Sequence, residues 1–314
     1  MTIAAYAKVN FTLEVLGVRP DGYHDLRSVV VPVSLADEVT LEPSDRVTLV
    51  MDWCGGRGAT ALPWRSRGTR DPTGGTRDPV GGTHDPTGGG EDNLAVRAVR
   101  LMQRVSGRKD GVAITLEKRI PVGGGLGGGS ADAAAVLNGL NEMWGLGIPR
   151  KELATLGAEI GSDVPALVLG GTVLMEGRGE RVSPITFHPS PITFHLVLAN
   201  PGTFCSTPEI FKAFNEPLRN RPEILYNIRL AMQAGDSAAV ARALQNDLAA
   251  TAMRLHPEIE VARRRLEEAG CLGAAMSGSG ATVFGIARDA AEAGRIAREL
   301  EAEGLWSVAA ETVR

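Results

Sequence analysis

Apolar and polar positions alternate near the start of the chain, and this spacing predicts a β-strand. Between Val9 and Val15 every second residue is apolar. Side chains two residues apart share one face of a strand. We therefore predict a strand over residues 3–16 that carries Lys8 and Asn10 on the same face.

The same pattern predicts an alternation of strands and helices along the rest of the chain. Strands are expected at 29–33, 39–51, 112–116, 170–176, 196–200 and 272–276, and helices from Asp92 or Asn93 to about Gly107, after Ser130, at 149–160, from Thr207, and at 222–234, 236–248 and 257–269. A last strand, helix and strand close the chain. Several strands in succession, followed by a strand, a loop and a helix, indicate an α+β fold rather than a doubly wound sheet. A length of 314 residues favours two domains, which we place at 1–172 and 173–314.

One glycine-rich stretch, residues 121–135, reads PVGGGLGGGSADAAA. Glycine allows positive φ and a close approach of the backbone to a ligand. Apolar residues at helical spacing follow Ser130, which can cap that helix, so loop amides and the helix N-terminus would converge on an anion. We predict a phosphate site, against the alternatives of a flexible linker or a tight turn. The sequence has neither a Walker Gly-Lys-Ser/Thr nor the acidic residue of a Rossmann motif.

Three other polar or aromatic features have both a functional and a structural interpretation. Lys8 and Asn10 point together, but such a face is often solvated. Asp163 lies in the turn GSDVP, where a carboxylate can be a general base, a helix cap or a turn residue. Tyr23 and His24 follow the turn RPDG and form either a stacking platform for a flat ligand or part of the core.

Composition excludes several classes of protein. There are 33 Lys and Arg against 37 Asp and Glu, so the net charge of −4 argues against a broad nucleic-acid surface. Cys54, Cys205 and Cys271 match no metal or nucleophile motif and suit a reducing compartment. Because no apolar stretch approaches the length of a membrane span, we expect a soluble, cytoplasmic protein with no membrane partner.

Two tandem duplications interrupt the pattern. Residues 69–89 repeat a seven-residue unit, TRDPTGG, TRDPVGG and THDPTGG, inside a Gly- and Pro-rich segment at 55–90. Such polar repeats bury too little apolar surface to offset chain entropy, so we predict a mobile insertion in the first domain. A second duplication, SPITFHP followed by SPITFH, occupies 183–195 and is expected to extend a hairpin loop.

Three segments in order, at 5–26, 121–134 and 274–285, resemble the three motifs of the GHMP small-molecule kinases. RPDGYH, EDNL, GSDVPA and STPEIF are similar to segments of the family members that phosphorylate a cytidyl diphosphate-linked methylerythritol. The resemblance implies a ribosomal protein S5 domain 2-like N-terminal domain, a ferredoxin-like C-terminal domain and a site between them. It also implies transfer of the ATP γ-phosphate to the 2-hydroxyl of that small-molecule substrate, in the methylerythritol phosphate route to isoprenoids.

The resemblance also assigns roles to individual residues. Asp163 would accept the hydroxyl proton, and Lys8 would keep it ionised while stabilising the transfer. Ser130 would lie near Mg²⁺. The residues that would hold the ATP phosphates are Pro121, Gly123, Gly124, Gly125, Leu126, Gly127, Gly128, Gly129 and Ser130. Those that would bind the acceptor are Asn10 at the polyol, Tyr23 and Phe211 as aromatic walls around cytosine, His24 at its polar edge, and Thr207.

Two alternatives remain at this point. A GHMP kinase for a smaller alcohol, such as homoserine or a mevalonate-type substrate, would have no use for the aromatic residues Tyr23, His24 and Phe211. A catalytically silent nucleotide sensor would lack Lys8 or Asp163, and this chain has both. The sequence does not distinguish a monomer from a homodimer.

Overall fold

The computed structural model describes residues 1–54, 90–187, 193–218 and 220–313, together with the backbone of 76–77 and 83–84. The strands are β1 (Thr2–Val18), β2 (His24–Ser44), β3 (Thr48–Trp53), β4 (Thr76–Arg77), β5 (Thr83–His84), β6 (Gly111–Lys118), β7 (Val173–Gly177), β8 (Arg181–Pro184), β9 (His195–Asn200), β10 (Gln245–Asn246), β11 (Ala274–Met276), β12 (Val283–Ala287) and β13 (Trp306–Glu311). The helices are α1 (Leu94–Ser106), α2 (Gly128–Met143), α3 (Arg150–Gly157), α4 (Val164–Leu169), α5 (Thr207–Ala213), α6 (Pro222–Ala234), α7 (Ser237–Ala243), α8 (Ala249–Leu255), α9 (Glu258–Glu268) and α10 (Ala290–Ala302). No helix among these described residues is long and apolar enough to cross a membrane.

The larger sheet has the order β10-β1-β2-β6-β3, and β7 joins it through β2 and carries β8. β1 and β2 form a long antiparallel hairpin with a register shift between Asn10 and Thr12. Helices α1 to α4 cover one face, where apolar residues such as Leu41, Ile114 and Leu137 form a common core. This core holds β1 and the N-terminal end of α2 in fixed positions.

The smaller sheet is antiparallel, with the order β11-β12-β9-β13. Helices α9 and α10 contribute to a core on this sheet. A further apolar core joins residues of both sheets. Within it the ring of Phe11, from β1, stacks on Phe284 with centroids 5.8 Å apart and meets the edge of Phe194 at 6.3 Å. The α+β prediction is therefore confirmed, and the two sheets share a packed junction.

The topology corrects several predicted boundaries. A division after residue 172 cuts the larger sheet, because β7 pairs with β2 and β8 pairs with β7; we propose that the first domain continues to Pro184. The helix predicted at 236–248 ends at Ala243, since Gln245 and Asn246 pair with β1, and α8 was missed. The predicted strand 39–51 is two strands, β2 and β3.

Most of the insertion predicted at 55–90 lies outside the described residues, as do 188–192 of the second duplication. Within the insertion, β4 and β5 pair antiparallel. Mobility of this segment stays a prediction from its composition.

Deletion of residues 66–89 should leave the melting temperature, and the activity that the resemblance implies, close to those of the full chain, because polar repeats contribute little to a core. The deletion keeps Gly90, whose carbonyl accepts a hydrogen bond from the Asn93 amide at 3.0 Å ahead of α1. Thermal unfolding and an assay of that activity measure both quantities. A large loss of that activity, or loss of soluble expression, would contradict this expectation.

Candidate active site

The glycine loop, residues 121–127, lies between β6 and α2, and the helix begins at Gly128. Gly127 occupies the cap position with φ of 71°, in the left-handed region, and no side-chain hydrogen bond caps α2 among the described residues. Ser130 is therefore inside the first turn, and its predicted role as the cap is wrong. The helix starts earlier than expected because glycine adopts this φ without strain.

The first amides of α2 have no partner within the helix. The amide of Ala131 donates to the Gly127 carbonyl at 2.8 Å, which is the first hydrogen bond of the helix. The N–H groups of Gly128, Gly129 and Ser130 therefore have no carbonyl partner within the helix. Together with the positive end of the helix dipole, they form a site suited to an anion.

A second glycine-containing loop, residues 277–282, packs against the first. The Thr282 amide donates to the Gly124 carbonyl at 3.1 Å, and the Ser277 hydroxyl donates to the Gly125 carbonyl at 2.9 Å. Gly125 has φ of +75°, and a Cβ there would lie 2.2 Å from the Ser277 carbonyl oxygen. The fold thus places the third of the family-like segments, 274–285, against the glycine loop.

Lys8 and Asp163 meet beside the glycine loop. Lys8 Nζ lies 3.4 Å from Asp163 Oδ2, and the Lys8 side chain is only 4% exposed. The Lys8 amide donates to the Leu126 carbonyl at 3.0 Å, which joins β1 to the loop. A β-carbon on Gly127 would lie 3.2 Å from the Lys8 stem and 3.6 Å from Asp163 Oδ2. Glycine at this position thus lets the pair approach the loop.

The structural alternatives for this pair are observed only in part, since Asp163 does lie in a turn. Asp163 occupies the cap position of α4, but its side chain makes no capping hydrogen bond to the described residues. Lys8 is buried, so its face of β1 is not a solvated one. The carboxylate and the ammonium face each other at the N-terminal ends of α2 and α4.

Asn10 is fixed by hydrogen bonds on both sides of its amide. Its Oδ1 accepts from Lys8 Nζ at 2.8 Å, and its Nδ2 donates to Ser28 Oγ at 2.8 Å. The Ser277 hydroxyl lies 3.5 Å from the same Oδ1. Ser28 and Ser277 were missed by the sequence analysis, since nothing local to them signals a contact with β1.

The aromatic residues form two groups. His24 packs on Phe211 with ring centroids 5.0 Å apart and on the edge of Phe214 at 6.1 Å. Tyr23 is half-exposed and lies against the Arg178 guanidinium, 5.4 Å from the ring centroid. Burial lowers the pKa of His24, which favours a neutral imidazole able to donate and accept. Phe211 thus meets His24 rather than Tyr23, and Phe214 was not predicted.

Thr207 is the first residue of α5 and not its cap. Ser206 holds the cap position, and Pro208 follows within the first turn. The Thr207 hydroxyl lies 2.8 Å from Ser279 Oγ, which ties α5 to the second glycine loop. The helix expected from Thr207 is therefore present, and the role of Thr207 in acceptor binding stays a prediction.

The buried cysteines have the character of small apolar residues. Burial raises the pKa of Cys205 to about 11 and that of Cys271 to about 12. Thiols with such values carry almost no thiolate at neutral pH and are poor nucleophiles. The described residues contain no group of three or more His, Cys, Asp or Glu side chains that could hold a metal ion.

Comparison with known proteins identifies the family. Residues 93–171 match the N-terminal domain of GHMP kinases, and residues 228–304 match the GHMP kinase C-terminal domain. The chain belongs to the GHMP kinase family. The resemblance seen in its three motifs is thereby confirmed.

Among the GHMP kinases, its curated relatives include two named 4-diphosphocytidyl-2-C-methyl-D-erythritol kinase. One, from Symbiobacterium thermophilum, is 39% identical over 94% of this chain and 94% of the relative. The other, from Gloeobacter violaceus, is 40% identical over 96% of this chain and 90% of the relative. The crystal structure of a 4-(cytidine 5'-diphospho)-2C-methyl-D-erythritol kinase superposes with a TM-score of 0.74 at 33% identity, covering 100% of both chains.

Proposed function

We propose that this GHMP kinase transfers the γ-phosphoryl group of ATP to the 2-hydroxyl of 4-diphosphocytidyl-2-C-methyl-D-erythritol, in the methylerythritol phosphate route to isoprenoid precursors. The products are the 2-phosphate and ADP. The observation that carries the proposal is the pair formed by the buried Lys8 and the partly exposed Asp163, beside a glycine loop that leads into a helix. The identity to relatives of that name, over more than nine-tenths of the chain, supports the choice of acceptor.

The donor site in this proposal is the glycine loop. The unpaired amides of Gly128, Gly129 and Ser130 point fixed dipoles at the ATP phosphates. Phosphoryl transfer depends mainly on positioning and on stabilising the charge of the transferring group. A loop fixed by β1 on one side and by residues 277–282 on the other meets that need without rearrangement.

In this proposal the Ser130 hydroxyl would be a ligand of a magnesium ion that arrives with ATP. Such an ion takes most of its ligands from phosphate oxygens and water, so one or two protein oxygens suffice. Ser130 lies in the first turn of α2, and a methyl group on Gly161, two residues before Asp163, would be 3.7 Å from its Oγ. We assign the Ser130 hydroxyl to the ion, which would neutralise phosphate charge when bound.

Asp163 is the general base of the proposed reaction. Its carboxylate is 27% exposed, so a hydroxyl of the acceptor can reach it, while Lys8 beside it is buried. The Lys8 ammonium, 3.4 Å from this carboxylate, would stabilise the negative charge of the transferring group. Asn10, fixed by Lys8 and Ser28, would orient the polyol.

The cytosine ring of the acceptor would bind among the aromatic residues. His24 offers a neutral imidazole for the polar edge of the base and rests on Phe211. Tyr23 and Phe211 would provide the walls, and Thr207 at the start of α5 would contact the acceptor. A base-stacking site of this kind is useless for homoserine or mevalonate, which have no flat ring.

Phe211→Ala and Tyr23→Ala should each weaken acceptor binding about five- to 150-fold, since base–aromatic stacking contributes about 1–3 kcal/mol per base. ATP binding should be unchanged. Tyr226→Ala, an exposed aromatic on α6, serves as the control and should alter neither affinity. Calorimetric titration with the acceptor measures the effect. Normal acceptor binding combined with a much lower melting temperature would make these rings core residues.

A coupled assay of ADP release tests the proposed reaction. The wild-type chain is supplied with ATP, Mg²⁺ and, in separate reactions, 4-diphosphocytidyl-2-C-methyl-D-erythritol, mevalonate or homoserine. We expect turnover with the first acceptor alone. Equal or faster turnover with either small alcohol would refute the proposed acceptor, and no turnover with any of them would favour a nucleotide sensor.

A further inference from the structure

A buried ionic cluster, formed by Asp37, Lys118 and Asp132, lies beneath the glycine loop and takes no part in the reaction proposed above. Asp37 is on β2, Lys118 is the last residue of β6, and Asp132 is on α2. Lys118 Nζ donates to Asp37 Oδ2 and, at 2.5 Å, to Asp132 Oδ2. The three side chains are between 0% and 8% exposed. Charged groups so deeply buried are costly unless they are paired, so the cluster calls for a physical explanation.

The Asp37 carboxylate accepts hydrogen bonds from the backbone amides that follow β6, where the chain leaves the sheet. Its neighbour Glu38 is paired with Glu117, so Asp37 faces the end of the strand. Asp37 Oδ1 accepts from the Arg119 amide at 2.5 Å and from the Ile120 amide at 2.8 Å. The carboxylate thus fixes the backbone immediately before Pro121, the first residue of the glycine loop.

Lys118 links the first end of the glycine loop, next to Pro121, to its second end at the start of α2. Through Asp132 it reaches the start of α2, a few residues after the loop closes at Gly127. The two ends also touch, since a Cβ on Gly128 would lie 3.0 Å from Ile120 Cγ2 and 3.6 Å from Asp37 Oδ2. The two ends of the glycine loop therefore lie close together, and the ionic cluster contacts both of them.

The pKa of Lys118 is consistent with a charged ammonium group between the two carboxylates. Burial disfavours the charged form of Lys118, but the carboxylates of Asp132 and Asp37 outweigh burial and raise the pKa of the ammonium. Burial also raises the pKa of Asp132, whose Oδ1 has no hydrogen-bond partner among the described residues. The contact of Asp132 on which the proposal rests is the hydrogen bond that its Oδ2 accepts from Lys118.

We propose that Asp37, Lys118 and Asp132 are positioning residues for ATP: they clamp the two ends of the glycine loop so that its amides are held at the spacing the phosphates require. This inference rests on the proposed function, in which the loop binds the phosphates. It does not depend on which alcohol is the acceptor.

The test compares Asp132→Ala with Asp132→Asn. The alanine variant removes the acceptor for Lys118 and should raise the Kd of a non-hydrolysable ATP analogue about tenfold, the loss expected for a hydrogen bond to a charged group. The asparagine variant keeps an oxygen that can accept from Lys118 and should restore the Kd to within about twofold of wild type. In steady state, Asp132→Ala should raise the KM for ATP and leave the KM for the acceptor unchanged.

Asp247→Asn is the matched control for a merely structural role. Asp247 also accepts from a backbone amide, that of Val15 at 3.0 Å, and from a cation, Arg221, but these contacts lie away from the glycine loop. It should lower the melting temperature without changing the Kd of the analogue.

The proposal is overturned if Asp132→Ala melts at a lower temperature, as the control does, yet binds the analogue as tightly as wild type. If Asp132→Ala does not fold, it is replaced by Asp132→Leu, whose side chain fills the same space. If neither of these variants folds while Asp132→Asn does, a role in ATP positioning is refuted as well. The analogue is titrated without acceptor, so this test does not depend on the proposed acceptor. If the proposed acceptor is wrong, the wild-type chain will bind the analogue but will not phosphorylate that acceptor.

Discussion

Asp163→Asn should reduce the rate of the chemical step about 10²- to 10⁴-fold, the usual contribution of a general base. Asparagine keeps the size of the side chain and an oxygen near Lys8, but it cannot take a proton. Folding, ATP affinity and acceptor affinity should stay near those of wild type, because Asp163 makes no capping hydrogen bond to the described residues. Single-turnover measurements at saturating substrates separate the chemical step from binding.

Asp236→Ala distinguishes this role from that of a helix-cap residue. Asp236 caps α7 by accepting from the Ala239 amide at 2.9 Å, so its loss should cost about 1 kcal/mol of stability and no catalytic rate. Lys8→Met should resemble Asp163→Asn in rate. If Asp163→Asn instead keeps its chemical rate within about threefold of wild type, proton abstraction by this carboxylate is unimportant and positioning must supply the acceleration.

Local pattern predicted those parts of the site that lie within single elements. The alternation around Lys8 and Asn10 predicted their shared face, and the glycine density before a helical repeat predicted the loop. These features depend on contacts within a few residues, which periodicity and glycine chemistry describe well. The start of α2 differs from the prediction because the left-handed Gly127 holds the cap position without any side-chain hydrogen bond.

The contacts that assemble the site depend instead on register between distant segments. Asn10 meets Ser28 only because of the β1–β2 register, which shifts just after Asn10. Lys118 meets Asp37 across 81 positions of sequence. A single sequence contains no signal for such pairings, because each residue alone has the properties of an ordinary surface charge or hydroxyl.

Gly125→Ala should lower kcat/KM about 10²-fold, the loss expected from misplacing reacting groups by about 1 Å. An alanine at φ of +75° is strained by about 1–2 kcal/mol, and its Cβ would lie 2.2 Å from the Ser277 carbonyl oxygen and 3.0 Å from that of Gly280. Both are backbone atoms, so the overlap can be relieved only by separating the two glycine loops. The amides of the phosphate site would then move with the first loop.

Gly107→Ala isolates the dihedral strain from the overlap. Gly107 ends α1 with φ of +71°, nearly the angle of Gly125, but a Cβ there has nothing within 4 Å. This control should lose about 1 kcal/mol of stability and keep its kinetic constants. Thermal unfolding and steady-state kinetics of both variants provide the comparison. If Gly125→Ala loses no more stability than Gly107→Ala and keeps kcat/KM within about threefold of wild type, the contact between the loops is not what holds the phosphate site in place.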